Sequence, residues 1–405
     1  MTNAGEKVSL RLECAVYAAG MFSHSLNSMA MVVIPLWVVS LENSPFLIGV
    51  GLGSRYFLLL LLSIHTGALM DRLGTRLVMV ICGIAGAVLH LAYPVLPWIW
   101  ALIVLQAFAG LTGSMGWLGS QTLVGQVMKG NPTYAGRLSF SLRIGAFVGP
   151  PLVGFVWDNV GPSGAFAVLG VWAFLGVIAT ILVPGGGHQQ SEQLHARGLV
   201  PRVSDYKSAF NLLLVPAIAL VVAMTMMRHG AIAVHHSFYV VWLDDLGISG
   251  TLIGVLMSAW AVLGSISALS VGRLARLFAA DWLMVVAVML QIVLISITPL
   301  LPTYGLLLVV MALYGGTMGI SQPLMISLMA RATSAKDQGK SAGLRTTANQ
   351  LVVTVLPPIM GGVVELVGLE ASFYVIGGTL ICLMGLTARA VALGTNRVTG
   401  EARSH

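Results

Sequence analysis

Between two apolar runs, residues 46–70 and 77–97, the chain reads Gly67-Ala68-Leu69-Met70-Asp71-Arg72-Leu73-Gly74-Thr75-Arg76. Three charges gathered at Asp71, Arg72 and Arg76 between long apolar stretches mark a polar turn joining two membrane-spanning helices. The same alternation continues outward in both directions. Of 405 residues, 57% are hydrophobic and 9% charged, whereas soluble domains carry about a quarter charged residues. The apolar runs recur at lengths able to cross a hydrocarbon core about 30 Å thick. Backbone groups in lipid must be satisfied within their own segment, so each run is a helix. The 47 glycines suit helices that approach closely in a membrane bundle.

The runs are 12–39, 46–70, 77–97, 98–126, 138–160, 165–183, 209–242, 252–271, 282–301, 304–330, 341–364 and 373–394. With the start of the chain in the cytoplasm, every Lys and Arg except Arg55 and Arg228 lies in a cytoplasmic segment or just inside its membrane edge, and none lies in an outer loop. This bias predicts both termini in the cytoplasm and a multi-pass protein of the inner or plasma membrane. It also removes nucleic acid as an explanation for the formal net charge of +7. The three cysteines, Cys14, Cys82 and Cys382, are widely spaced and predict neither disulfide nor thiolate metal site. The first apolar run is a full span and not the short core of a cleavable signal.

Two anchors repeat along the chain. Trp37 and Leu47-Ile48-Gly49-Val50 return 205 residues later as Trp242 and Leu252-Ile253-Gly254-Val255. Pro150-Pro151, Gly154, Asp158, Gly161 and Phe166 correspond, 207 residues on, to Pro357-Pro358, Gly361, Glu365, Gly368 and Phe373. The predicted architecture is therefore all-α, with twelve transmembrane helices in two pseudo-symmetric six-helix bundles. The boundaries are 1–184 and 208–405, joined by a polar cytoplasmic linker at 185–207. Parallel repeats of this kind place a substrate path near the bilayer midplane.

The stretch from Gly67 to Arg76 resembles the signature loop of the major facilitator superfamily, G-x-x-x-D-R-x-G-x-R, at each defining position: Gly67, Asp71, Arg72, Gly74 and Arg76. A weaker copy runs from Ala268 to Arg276, with Gly272 replacing the aspartate and Arg273 and Arg276 kept. Helix five carries Arg143, Gly145, Gly149, Pro150-Pro151 and Gly154, and resembles the G-x-x-x-G-P element of proton-coupled exporters, with Gly154 alone where a glycine pair usually stands. The resemblance covers nearly the whole chain. It implies a secondary transporter working by alternating access, with these residues in gating roles. Arg345, near the cytoplasmic edge of helix eleven, suits a gate or a topology anchor.

An ionisable side chain inside the membrane is costly and marks a candidate site. Arg55 lies mid-way along helix two, Arg228 and His229 along helix seven, and His24 along helix one; His24 and His229 hold matching places in the repeat. No aspartate or glutamate lies mid-membrane in this reading. Helical spacing puts His24, Asn27, Ser28 and Met31 on one face, and Arg228, His235 and Tyr239 on another, with His229 and His236 about 100° round from it. Two fixed cations without a carboxylate favour anionic or oxygen-rich solutes, since a guanidinium fork suits carboxylate or phosphate oxygens. Candidate substrate contacts are His24, Asn27, Arg55, Arg228, His229, His235, Tyr239, Trp260, Tyr314, Gln322 and Asn349, with Gln121 and Gln350 as further polar positions; each residue also has a packing role as its alternative.

The expected function is proton-coupled export, by antiport, of a small anionic or chelating organic solute such as a siderophore, an organic acid or a drug. Uptake or exchange of a small anion is the alternative. Transition-metal transport through the membrane histidines ranks below both, because divalent metals favour carboxylate or thiolate co-ligands. No nucleophile constellation or nucleotide loop is found, so neither enzyme activity nor a cofactor is expected. The expected partners are the solute, protons and the lipid bilayer, with the chain acting as a monomer.

Overall fold

The computed structural model describes residues 9–62, 70, 73–127, 132–183, 210–301, 303–333 and 337–401. Gly67, Asp71 and Arg72, and the linker expected at 185–207, lie outside the described residues. Among the described residues twelve helical spans follow one another. They are α1 (Leu10–Leu41), α2 (Pro45–Leu62), α3 (Thr75–Ala92), α4 (Ile99–Val127), α5 (Pro132–Val160) and α6 (Pro162–Leu182). There follow α7 (Pro216–Asp245), α8 (Gly250–Leu277), α9 (Ala280–Ser296), α10 (Tyr304–Ala332), α11 (Gln338–Val367) and α12 (Leu369–Glu401). Among the described residues the regular structure is helical throughout. Eleven of the spans are long and apolar enough to cross a bilayer, while α9 is shorter. Pro299 sits in the 3-10 turn Thr298–Leu300 that follows α9, where its missing N–H cannot extend the helix.

Two spans differ from unbroken helices. In α2 a 3-10 turn, Ser54–Tyr56, separates Pro45–Gly53 from Phe57–Leu62, and it carries Arg55. The expectation of one continuous helix over 209–242 is corrected. The span starts at Pro216 after a 3-10 turn and breaks at Ser237 (φ −125°, ψ −97°), whose hydroxyl donates to the Ala233 carbonyl at 2.5 Å. Such a side-chain bond competes with the backbone ladder and bends the helix.

The chain packs as two compact units, residues 1–41, 54–201 and 247–258 in the first, and 42–53, 202–246 and 259–405 in the second. The start of α2 thus belongs with the C-terminal helices and the start of α8 with the N-terminal ones. The repeated anchors explain this exchange. In the second unit Gly49 of α2 lies against the Pro357 carbonyl of α11, Gly361 lies against the Pro45 carbonyl, and no side chain would fit at either glycine. Glu365 closes the start of α2, accepting from Ser44 Oγ at 2.8 Å and from the Phe46 N–H at 3.2 Å. In the first unit Gly254 of α8 lies against the Pro150 carbonyl and Gly154 against the Gly250 carbonyl. Asp158 accepts from the N–H groups of Gly250 and Thr251 at 2.7 and 2.8 Å, and from Thr251 Oγ1 at 2.5 Å.

The repeat extends to the aromatic core. Trp37 packs edge-on to Phe166 at 5.6 Å between centroids, and Trp242 to Phe373 at 6.0 Å. Val16, Ala19, Met79, Leu138, Leu142 and Val183 belong to one buried apolar cluster of the first unit. Large apolar side chains such as Phe108, Phe140, Ile266, Leu269 and Val286 point outward, as a surface solvated by lipid requires.

Candidate substrate site

Each unit holds a buried arginine, and the two are housed differently. Arg55 is 6% exposed. Its Nε and Nη2 both donate to Asn27 Oδ1 of α1, at 3.2 and 2.6 Å, and Nη1 donates to Gln106 Oε1 of α4 at 3.3 Å. The same amide oxygen accepts from Tyr93 Oη at 3.0 Å, and the Tyr93 ring stacks on Phe166 at 4.9 Å. The Arg55 backbone carbonyl lies against Gly110 of α4 so closely that only glycine fits there. Every donor nitrogen of this guanidinium is thus engaged by α1 or α4. His24 tilts against the Trp117 ring at 4.7 Å and is within electrostatic reach of Arg143 on α5.

Arg228 on α7 is 3% exposed, and the hydrogen bond its guanidinium makes among the described residues runs from Nε to Ser321 Oγ of α10 at 2.9 Å. Gln291 of α9 donates to the Arg228 carbonyl and to Tyr314 Oη, both at 3.4 Å. Its own Oε1 is buried without a donor. His229 bonds through Nδ1 to the Thr225 carbonyl at 2.8 Å. Two turns past Arg228, His235 is 1% exposed and lies between aromatic rings, 4.9 Å from Tyr314 and 5.5 Å from Tyr239. Both its ring nitrogens and Tyr239 Oη are buried without a partner. A buried polar atom left unmatched costs about 1–3 kcal/mol, so the second unit holds an incompletely matched polar interior, whereas the Arg55 guanidinium itself is fully partnered.

A family model described as the Major Facilitator Superfamily matches residues 16–243 and again 221–399. The chain belongs to the Major Facilitator Superfamily. It is 23% identical over 386 residues to the enterobactin exporter EntS of Citrobacter koseri, spanning 92% of this chain and 89% of that protein. It is 22% identical over 321 residues to the multidrug resistance protein MdtG of Salmonella arizonae, spanning 78% of each. The crystal structure of the nucleoside transporter NupG matches 93% of this chain and 98% of its own at a TM-score of 0.76, with 16% identity. A POT family transporter solved with 5-aminolevulinic acid matches at 0.74 over 93% and 95%, with 10% identity. These structures share the fold. The protein is a multi-pass transporter of small molecules and not an enzyme.

Two of the remaining candidate residues of this facilitator join the networks just described, and others stand apart from them. Asn27 joins Arg55, and Tyr314 joins Gln291 and His235, whereas Trp260 is half-buried and Gln322 exposed. The Trp260 backbone carbonyl lies against Gly315 of α10, 205 residues after the Arg55 and Gly110 pair. Asn349 on α11 is buried, with Oδ1 unpartnered. Of the signature loop, Gly74 adopts a φ of 85°, which favours glycine, and opens α3; Arg76 donates from Nη2 to the Ile181 carbonyl at 2.5 Å and so caps the end of α6. Gly145 and Gly149 of α5 pack on α1, where an added Cβ would stand 2.8 Å from Met21 Cγ and 2.7 Å from Met29 Cγ. The sequence reading passed over Gln106, Tyr93, Gln291 and Ser321. An amide or phenol inside an apolar run is the signal that marks three of them.

Proposed function

We propose that this facilitator exports a small organic solute with anionic or chelating oxygens, works by alternating access and is driven by proton antiport across the inner or plasma membrane. The observation that carries the reading is the Arg228 environment. Its guanidinium keeps its charge in any environment, is buried, and has one neutral hydroxyl as hydrogen-bond partner among the described residues. No carboxylate of the described residues pairs with it; the ion pairs resolved there are Arg137 with Glu13 and Lys340 with Asp337. A solute bearing carboxylate, phosphate or hydroxamate oxygens supplies what the site lacks. Export is favoured because the similar proteins EntS and MdtG are named an enterobactin exporter and a multidrug resistance protein. The helix-five element adds weight to proton coupling. Two related halves, 1–184 and 208–405, acting as a monomer with both termini cytoplasmic, complete the proposal.

Uptake or exchange of a small anion is the second reading, and the same arginine supports it. Metal transport through the membrane histidines ranks below both, because divalent metals favour carboxylate or thiolate co-ligands.

The test is thermal unfolding of the purified protein against anionic, neutral and cationic ligands, repeated on Arg228→Ala. A ligand that binds only the folded state raises apparent stability. Stabilisation by carboxylates or phosphates that is lost in the variant is the expected result. Stabilisation by lipophilic cations, equal in both proteins, overturns the anionic assignment.

A further inference from the structure

Arg345 lies on α11 one turn before Asn349, and α11 packs against α7 within the second unit. Its Nε and Nη1 are shielded from solvent and find no acceptor among the described residues, and Asn349 Oδ1 is likewise buried and unmatched. Arg345 is close enough to Arg228 and to His229 for the three groups to act on one another electrostatically. Two guanidiniums that cannot shed their protons therefore share one interior region with an imidazole. Among the described residues no carboxylate offsets them. Like charges held together in a low dielectric repel strongly, and buried unpaired ions are costly. A gate or topology anchor at the cytoplasmic edge does not explain why Nε and Nη1 of this half-buried residue are shielded from solvent without an acceptor among the described residues.

We infer that Arg345 and Arg228, flanked by His229 and Asn349, form an oxyanion subsite that holds the anionic group of the transported solute. Arg228 contributes from α7, where Ser321 fixes its Nε. Arg345 contributes two donor nitrogens, Nε and Nη1, that have no acceptor among the described residues. The fork geometry of a guanidinium suits a planar carboxylate or a tetrahedral phosphate. The inference rests on the transport reading above and makes Arg345 a binding residue.

The experiment titrates the full-length protein, in neutral detergent free of anionic lipid, with citrate, benzoate and inorganic phosphate at matched ionic strength. Wild type, Arg228→Gln, Arg345→Gln and Arg345→Lys are compared by their unfolding midpoints. At least one anion stabilises the wild type, and Arg345→Gln needs roughly tenfold more of it for the same response. Arg345→Lys keeps the charge without the fork and falls between the two; it carries the test if Arg345→Gln does not fold. An Arg345→Gln response equal to wild type, with that of Arg228→Gln lost, overturns the subsite and leaves the transport reading standing. Wild-type responses in both variants, or in none of the proteins, overturn both. Stabilisation by added phosphatidylglycerol alone, with no soluble anion acting, also overturns the subsite, because it assigns the arginines to a lipid headgroup.

Discussion

A guanidinium carries its charge into hydrocarbon, and Arg55 and Arg228 meet that cost in different ways. Arg55 spends its donors on the amide oxygens of Asn27 and Gln106, which join α1 and α4 to the 3-10 turn of α2. Replacing it leaves Gln106 Oε1 with Tyr93 alone and removes the charge-assisted bonds. Arg55→Gln is therefore expected to destabilise the protein by on the order of 1–3 kcal/mol, read as a lowered unfolding temperature. Arg228 has Ser321 alone as a hydrogen-bond partner among the described residues, so Arg228→Gln is expected to weaken anion binding more than it weakens folding. Both arginines were legible in the sequence because a charged letter inside an apolar run is conspicuous. Their separate fates were not, because the deciding partners, Gln106 and Ser321, lie on other helices, and nothing in one helix fixes which neighbour its side chains will meet.

The helices tell the same story through their ends and crossings. The sequence repeats a glycine-proline anchor in α5 and α11 and a Leu-Ile-Gly-Val anchor in α2 and α8, and the structure packs one kind of anchor on the other in each unit. A carboxylate completes each crossing, Asp158 at the start of α8 and Glu365 at the start of α2. Each satisfies N–H groups that a helix start leaves open and opposes the positive end of the helix dipole. Asp158→Ala and Glu365→Ala should each cost about 1 kcal/mol in unfolding measurements. The pair shares no partner, so the double variant should be additive within about 0.5 kcal/mol. Gly110→Ala meets the Arg55 carbonyl and its Cγ at 3.0 Å, and overpacking of this kind lowers stability by about 1–3 kcal/mol. The repeat was readable because its anchors are rare residue types at a fixed offset. The break in α7 was not, since Ser237 is an ordinary residue whose hydroxyl can equally bond within a straight helix.

Across the chain, the fold and its family follow from apolar run lengths, basic-residue placement and one ten-residue loop, all of which are local features of the sequence. The substrate does not, because recognition depends on which side chains from several helices converge. In the second unit the charges are the Arg228 and Arg345 guanidiniums, with the His229 imidazole within electrostatic reach of both, while His235, Tyr239 and Gln291 add buried polar atoms without a partner. In the proposed cycle this interior recognises an anion and carries it outward in exchange for protons. Everted membrane vesicles energised to an acid interior test it directly, using the anion that most stabilises the purified protein. Adding this anion is expected to dissipate the pH gradient in wild-type vesicles and to leave it standing in Arg228→Gln vesicles. Dissipation by lipophilic cations and not by the anion, unchanged in the variant, would contradict it.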